Sequence, residues 1–181
     1  MTGVRAFQRV FGSVRSSRPR STWRPMISLN RPSPMNMART WLGDSTYVKV
    51  HYSAPRKRDR EVFGALVPYG ELWRTAANEA AEVTFSQDVR FGDQNVPAGT
   101  YSLFTIPGEQ TWTVILNRAL GLNGTAGYNQ ADDVARVTVP ATATRATYEP
   151  FTIRFADGDA GGKQLQLVWD QTVVSVPVQP R

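Results

Sequence analysis

Apolar and polar residues alternate with a period of two along most of the chain after residue 41. In Tyr47–Tyr52, Val48, Val50 and Tyr52 point one way while Tyr47, Lys49 and His51 point the other, the pattern of a strand buried on one face. The same alternation marks Glu82–Phe85, Val89–Phe91, Thr100–Ile106, Thr111–Leu116, Val134–Val139, Phe151–Phe155, Leu165–Trp169 and Val173–Val178. Phe151, Ile153 and Phe155 share a face opposite Thr152 and Arg154, and Leu165, Leu167 and Trp169 share another. No amphipathic stretch of ~10 residues with helical spacing interrupts the series. About nine short strands without long crossover helices predict an all-β domain: an antiparallel, jelly-roll-like β-sandwich, or a barrel.

Turn residues separate the strands. Val67-Pro68-Tyr69-Gly70 and Val96-Pro97-Ala98-Gly99 have Pro second and Gly fourth, which predicts type I turns. Ile106-Pro107-Gly108-Glu109 places Gly third and predicts a type II turn with Gly108 at positive φ. Phe91–Val96 reads as a hairpin, and Ala119–Asp133 as an irregular loop rich in Gly and Asn.

Charge changes the picture at the N-terminus. The formal net charge is +6, yet residues 1–40 hold eight arginines and no Asp, Glu or Lys, while residues 41–181 hold 13 basic against 15 acidic side chains. The basicity therefore belongs to a leader, and nucleic-acid binding through the folded domain is not expected. The Arg-, Ser- and Pro-rich leader lacks the apolar core of ~7–15 residues that a secretory signal requires. It reads as a disordered tail, with an organellar transit peptide or a start placed upstream of Met26, Met35 or Met37 as alternatives. Residues 41–181 are then a single all-β domain, large enough to bury a real core.

The absence of cysteine excludes disulfides, thiol catalysis and Cys-ligated metals, and the one histidine excludes a His-rich metal site within the chain. No apolar run approaches the ~18 residues of a membrane span. No cofactor motif is present, and Gly-rich phosphate loops are lacking.

The polar residues that could carry chemistry gather in Trp73, Arg74, Asn78 and Glu79. Arg74 can grip a carboxylate or phosphate, and Asn78 offers both donor and acceptor. Glu79 could bind a hydroxyl or act as a base, and Trp73 could supply a stacking surface. The plainer expectation is an Arg74–Glu79 ion pair tying the loop to the sheet, with Trp73 in the core. His51 is the one histidine, the residue type best suited to proton transfer near neutrality, but strand parity places it on the face opposite Val48 and Val50, where an exposed histidine is expected. Asp157-Gly158-Asp159 resembles part of a Ca²⁺ loop; without the remaining ligands, a hairpin turn is the expectation. The basic cluster Arg56-Lys57-Arg58 with Arg60 reads as a solvated loop. Ser53, Thr75 and Ser102 have no partnered base at recognisable spacing.

Four segments, YSAPRKRDREVFG (Tyr52–Gly64), LVPYGELWRTAANEA (Leu66–Ala80), VPAGTYSLFTIPG (Val96–Gly108) and WTVILN (Trp112–Asn117), together resemble an uncharacterised bacterial family, domain of unknown function 2911. The resemblance implies an all-β protein of the bacterial envelope, commonly exported, with no assigned activity and hence no catalytic residues to carry over. Two positions depart from the family pattern: Ala76 and Asp59 stand where it usually has Gly. Ala disfavours positive φ, whereas Asp tolerates it.

Three functions stay open. One is a non-catalytic module binding a small molecule, glycan or peptide near Trp73, Arg74, Asn78, Glu79 and His51. The second is a hydrolase or lyase using Glu79 with His51 or a second carboxylate such as Glu71. The third is a structural protein whose sheet edge recruits another chain.

Overall fold

The structure, a computed structural model, describes residues 32–181. The leader reading concerns residues 1–31, which lie outside the described residues, and the remainder of that segment. Nine strands make up one antiparallel sheet: β1 (Met35–Leu42), β2 (Thr46–Ser53), β3 (Ala81–Phe85), β4 (Val89–Phe91), β5 (Gln94–Val96), β6 (Gly99–Ile106), β7 (Thr111–Asn117), β8 (Asp133–Asp157) and β9 (Lys163–Pro180). A single 3₁₀ turn, Gln130–Asp132, is capped by the Asn129 side chain. The order across the sheet is β1-β2-β3-β6-β7-β8-β9-β4-β5. Its two end strands, β1 and β5, do not pair, so the sheet is not closed into the barrel that the sequence also allowed.

The long strands β8 and β9 make the sheet double back. The first part of β8, Asp133–Pro140, pairs with β7, whereas Ala141–Asp157 pairs with β9. The two arms face each other across one core, in which Val48, Val50, Val83, Leu103, Val114 and Leu116 meet Phe151, Ile153, Leu165, Leu167, Val174 and Val176. The Tyr52 hydroxyl crosses between the arms to donate to the Ile153 carbonyl. Burial at about 25 cal/mol per Å² of apolar surface makes this shared face the main source of stability.

The alternation read from β2 holds in three dimensions: Val48, Val50 and Tyr52 are buried, and His51 is exposed. Residue 41 is not where the sheet begins. β1 starts at Met35 and pairs along its whole length with β2, from Met35 opposite Ser53 to Leu42 opposite Thr46. Met35, Met37 and Trp41 point outward and are each more than half exposed, whereas on the inner side Ala38 packs against the core and Leu42 is buried in it.

Two turns differ in their reason for glycine. Gly92 opens the two-residue β4–β5 hairpin at φ 62, as a hairpin of this kind demands. Gly108 is not in the left-handed region, so the expected type II geometry is absent; a Cβ there would lie 2.5 Å from the Thr111 carbonyl oxygen. Close backbone approach, not φ, selects glycine at that site.

Candidate functional site

Trp73 enters the sheet as a short bridge beside β6. Its N–H donates to the Thr105 carbonyl at 2.7 Å, and the Thr105 N–H donates back at 2.9 Å. Two residues back along β6, Leu103 pairs with Ala81 at the start of β3. Residues 75–80 are therefore a loop thrown out between two positions on one strand and closed by the Ala81 N–H to the Arg74 carbonyl. Its tip is tied down on both sides: Ala77 N–H donates to the Ser53 carbonyl, Ala80 N–H to Leu122, and Gly124 N–H to Asn78.

The backbone of this loop is under strain. Thr75 has φ 54 and Asn78 φ 62. Asn accepts the left-handed region readily, but a β-branched residue there is an outlier, with a cost of about 1–3 kcal/mol. Thr75 is fully buried, and its hydroxyl donates to Thr105 Oγ1 at 3.2 Å. That contact fixes the side chain against β6. Ala76, by contrast, is buried without a positive φ. The left-handed position falls one residue earlier.

The four side chains part company. Trp73 is 8% exposed and lies in an aromatic cluster, stacked on Trp169 at 5.9 Å and edge-on to Phe151 at 5.1 Å. It is a core residue, as the plainer reading expected, and offers no open face for stacking. Arg74 and Asn78 are half-buried, and Arg74 Nε and Asn78 Nδ2 are buried donors with no hydrogen-bond acceptor. Burial alone pushes the Arg74 guanidinium below its ordinary pKa. Glu79 forms a bridge with Asn123 through the backbone. The expected Arg74–Glu79 ion pair is not formed: the ion pairs among the described residues are Lys57–Asp170, Asp133–Arg136, Asp157–Lys163 and Asp88–Arg181. A chain reversal between Arg74 and Ala81 sets their positions, and sequence proximity does not bring the two charges together.

His51 sits apart, on the outer face of β2 between Met37 of β1 and Glu82 of β3. Glu82 accepts from the Gly121 N–H. Glu71 is exposed in the segment before Trp73. Asp157–Gly162 is a hairpin, closed by Gly158 N–H to Gly162 and by an Asp157–Lys163 ion pair at 2.6 Å. Among the described residues no group of three His, Asp or Glu side chains could hold a metal ion. None of their helices is long and apolar enough to cross a membrane.

The model of the family described as Protein of unknown function (DUF2911) matches residues 33–178. The chain belongs to that family. The match begins just before β1, which makes β1 part of the DUF2911 domain. No curated protein and no solved structure matches the chain. This DUF2911 member holds Asp59 at φ 57, a conformation natural to glycine and tolerable to Asp.

Sequence reasoning missed one feature altogether. The turns at Val67–Gly70 and Ile106–Glu109 meet, through a hydrogen bond from Gly70 N–H to the Pro107 carbonyl at 2.8 Å. Beside them a cavity of about 180 Å³ opens between Phe63, Tyr69, Glu109, Trp112, Thr142 and Gln171. Each turn is legible from its Pro and Gly, but their meeting depends on tertiary pairing that no local pattern encodes.

Proposed function

We propose that this chain is a non-catalytic binding module of the bacterial envelope that holds a small molecule, glycan or peptide by an acceptor group at the Arg74–Glu79 loop. One observation carries the reading. Arg74 Nε and Asn78 Nδ2 are buried donors, four residues apart on one strained loop, and neither has an acceptor. Buried donors are nearly always satisfied, and an unpaired one costs about 1–3 kcal/mol, more when charged. A ligand carboxylate or hydroxyl would relieve both costs, and strain of the Thr75 kind is typical of ligand loops. Catalysis is disfavoured because His51 lies on the outer face of β2, held between Met37 and Glu82 rather than in the loop.

The test uses Arg74→Met, which keeps the bulk of the side chain, and Asn78→Asp, which keeps tolerance of the left-handed region while removing the amide donor. Thermal melts are run with glucose, glucuronate and a short peptide bearing a free carboxylate. Stabilisation of the parent by the acidic ligands, and loss of that effect in both variants, is the expected result. Without ligand, Arg74→Met should melt no lower than the parent, because it removes a desolvated and unpaired cation. A parent indifferent to every ligand, together with an Arg74→Met protein destabilised by several kcal/mol, would show that Arg74 serves the fold instead.

A further inference from the structure

The cavity beside the two joined turns has walls of a consistent chemical kind. Phe63 and Trp112 form one side, with rings edge-on at 4.8 Å. Tyr69 lines it as well and is exposed, its ring resting over Gly64, where a Cβ would come within 3.0 Å of it. Two polar side chains on the lining keep acceptor oxygens. The Thr142 hydroxyl spends its proton on the Val173 carbonyl at 3.0 Å, which leaves lone pairs on its oxygen. The Gln171 amide nitrogen donates to Thr147 Oγ1, which leaves the carbonyl oxygen of the same amide. Glu109 is the only charged side chain on the lining, and among the described residues it has neither an ion pair nor a hydrogen bond. Asp170, next in sequence to Gln171, is already neutralised by Lys57 at 2.6 Å.

Aromatic faces, acceptor oxygens and a single unpaired carboxylate suit a cation that brings its own N–H donors. We propose that this cavity binds a primary ammonium group on a short carbon chain. The alkyl part would lie against Phe63 and Trp112, while the ammonium would face Glu109 under the Tyr69 ring, an arrangement in which charge pairing and cation–π attraction add. The position in the fold agrees with a built site. Four separate segments meet there, and the β8–β9 register shifts immediately beyond it, between Ala143 and Tyr148. Bulges of this kind recur beside binding sites, where they re-aim side chains. The site is distinct from the Arg74 loop in both place and charge.

Intrinsic tryptophan fluorescence reads the site directly, since Trp112 lines it. The full chain is titrated with n-butylammonium chloride, with n-butanol as the neutral counterpart and sodium chloride at matched ionic strength. The expected result is a saturating change with n-butylammonium alone. Glu109→Gln and Tyr69→Leu, both at exposed positions and expected to melt like the parent, should each weaken it by roughly tenfold. Arg74→Met should leave it unchanged, which separates this site from the acceptor-binding loop. An equal saturating response to n-butanol would overturn the proposal in favour of an apolar hollow. A linear response to every solute, or unaltered binding in both variants, would overturn it as well.

Discussion

Two residues separate the demands of backbone conformation from those of packing. Asp59 and Ala76 both stand where the resemblance implies glycine, yet their fates diverge. Asp59 is exposed and held at φ 57, so restoring glycine relieves the strain at no cost in packing. Ala76 is buried to 1% exposure with no such φ; a glycine there would lose a packed methyl and gain backbone freedom in the unfolded chain. Asp59→Gly is therefore expected within about 0.5 kcal/mol of the parent in urea denaturation, whereas Ala76→Gly should lose about 1 kcal/mol or more. Equal effects of the two substitutions would mean that the loop around Ala76 is placed differently from the structure described. The strain itself, at Thr75, was not legible. Threonine is among the last residues a pattern would assign to positive φ, and only the buried bond to Thr105 accounts for its tolerance there.

At the scale of elements, alternation identified β2, β3, β4, β6 and β7 because each has one face in the core, where side-chain parity becomes burial. It also found both halves of β8 and of β9, but as four short strands. Pro140 and Pro150 and the polar run around Arg145 break the pattern while the backbone continues, bulging between Ala143 and Tyr148. β1 escaped for the opposite reason. Its apolar residues Met35, Met37 and Trp41 face outward, so nothing in the pattern separates it from the residues before it. The agreement on nine strands thus rests partly on offsetting differences. β1 nonetheless covers the outer edge of β2 with eight paired residues and brings Leu42 into the core. Removal of residues up to Leu42 should lower stability by several kcal/mol. It should also promote self-association, visible as an early-eluting species in size-exclusion chromatography, because β2 becomes an unprotected edge. A truncated protein that stays monomeric and melts like the parent would show that β1 is dispensable.

For the whole molecule, three phenols link stability to pH. Tyr52, Tyr101 and Tyr128 all have pKa values raised above the ordinary 10.0, and burial is the largest cause in each; at Tyr128 the carboxylate of Asp133 adds to it. The fold therefore retains these protons after the unfolded chain has begun to release them. The stabilisation is complete below pH 10 and falls as pH rises through the values held in the folded state. Elevation of each value therefore works against the fold once the solution has passed both. Tyr52 should dominate, since its hydroxyl sits between the two arms of the sheet with only the Ile153 carbonyl to receive it, and an ionised oxygen there would face another acceptor. The expected observation is cooperative alkaline unfolding in which tyrosinate absorbance and loss of near-ultraviolet dichroism rise together above pH 10. In Tyr52→Phe, where the buried ring remains and the titrating group is gone, the transition should move to higher pH. Tyrosinate appearing well before any loss of structure would mean that these hydroxyls reach solvent in the folded protein. The two arms would then be less tightly joined than the shared core of β2 and β8 implies.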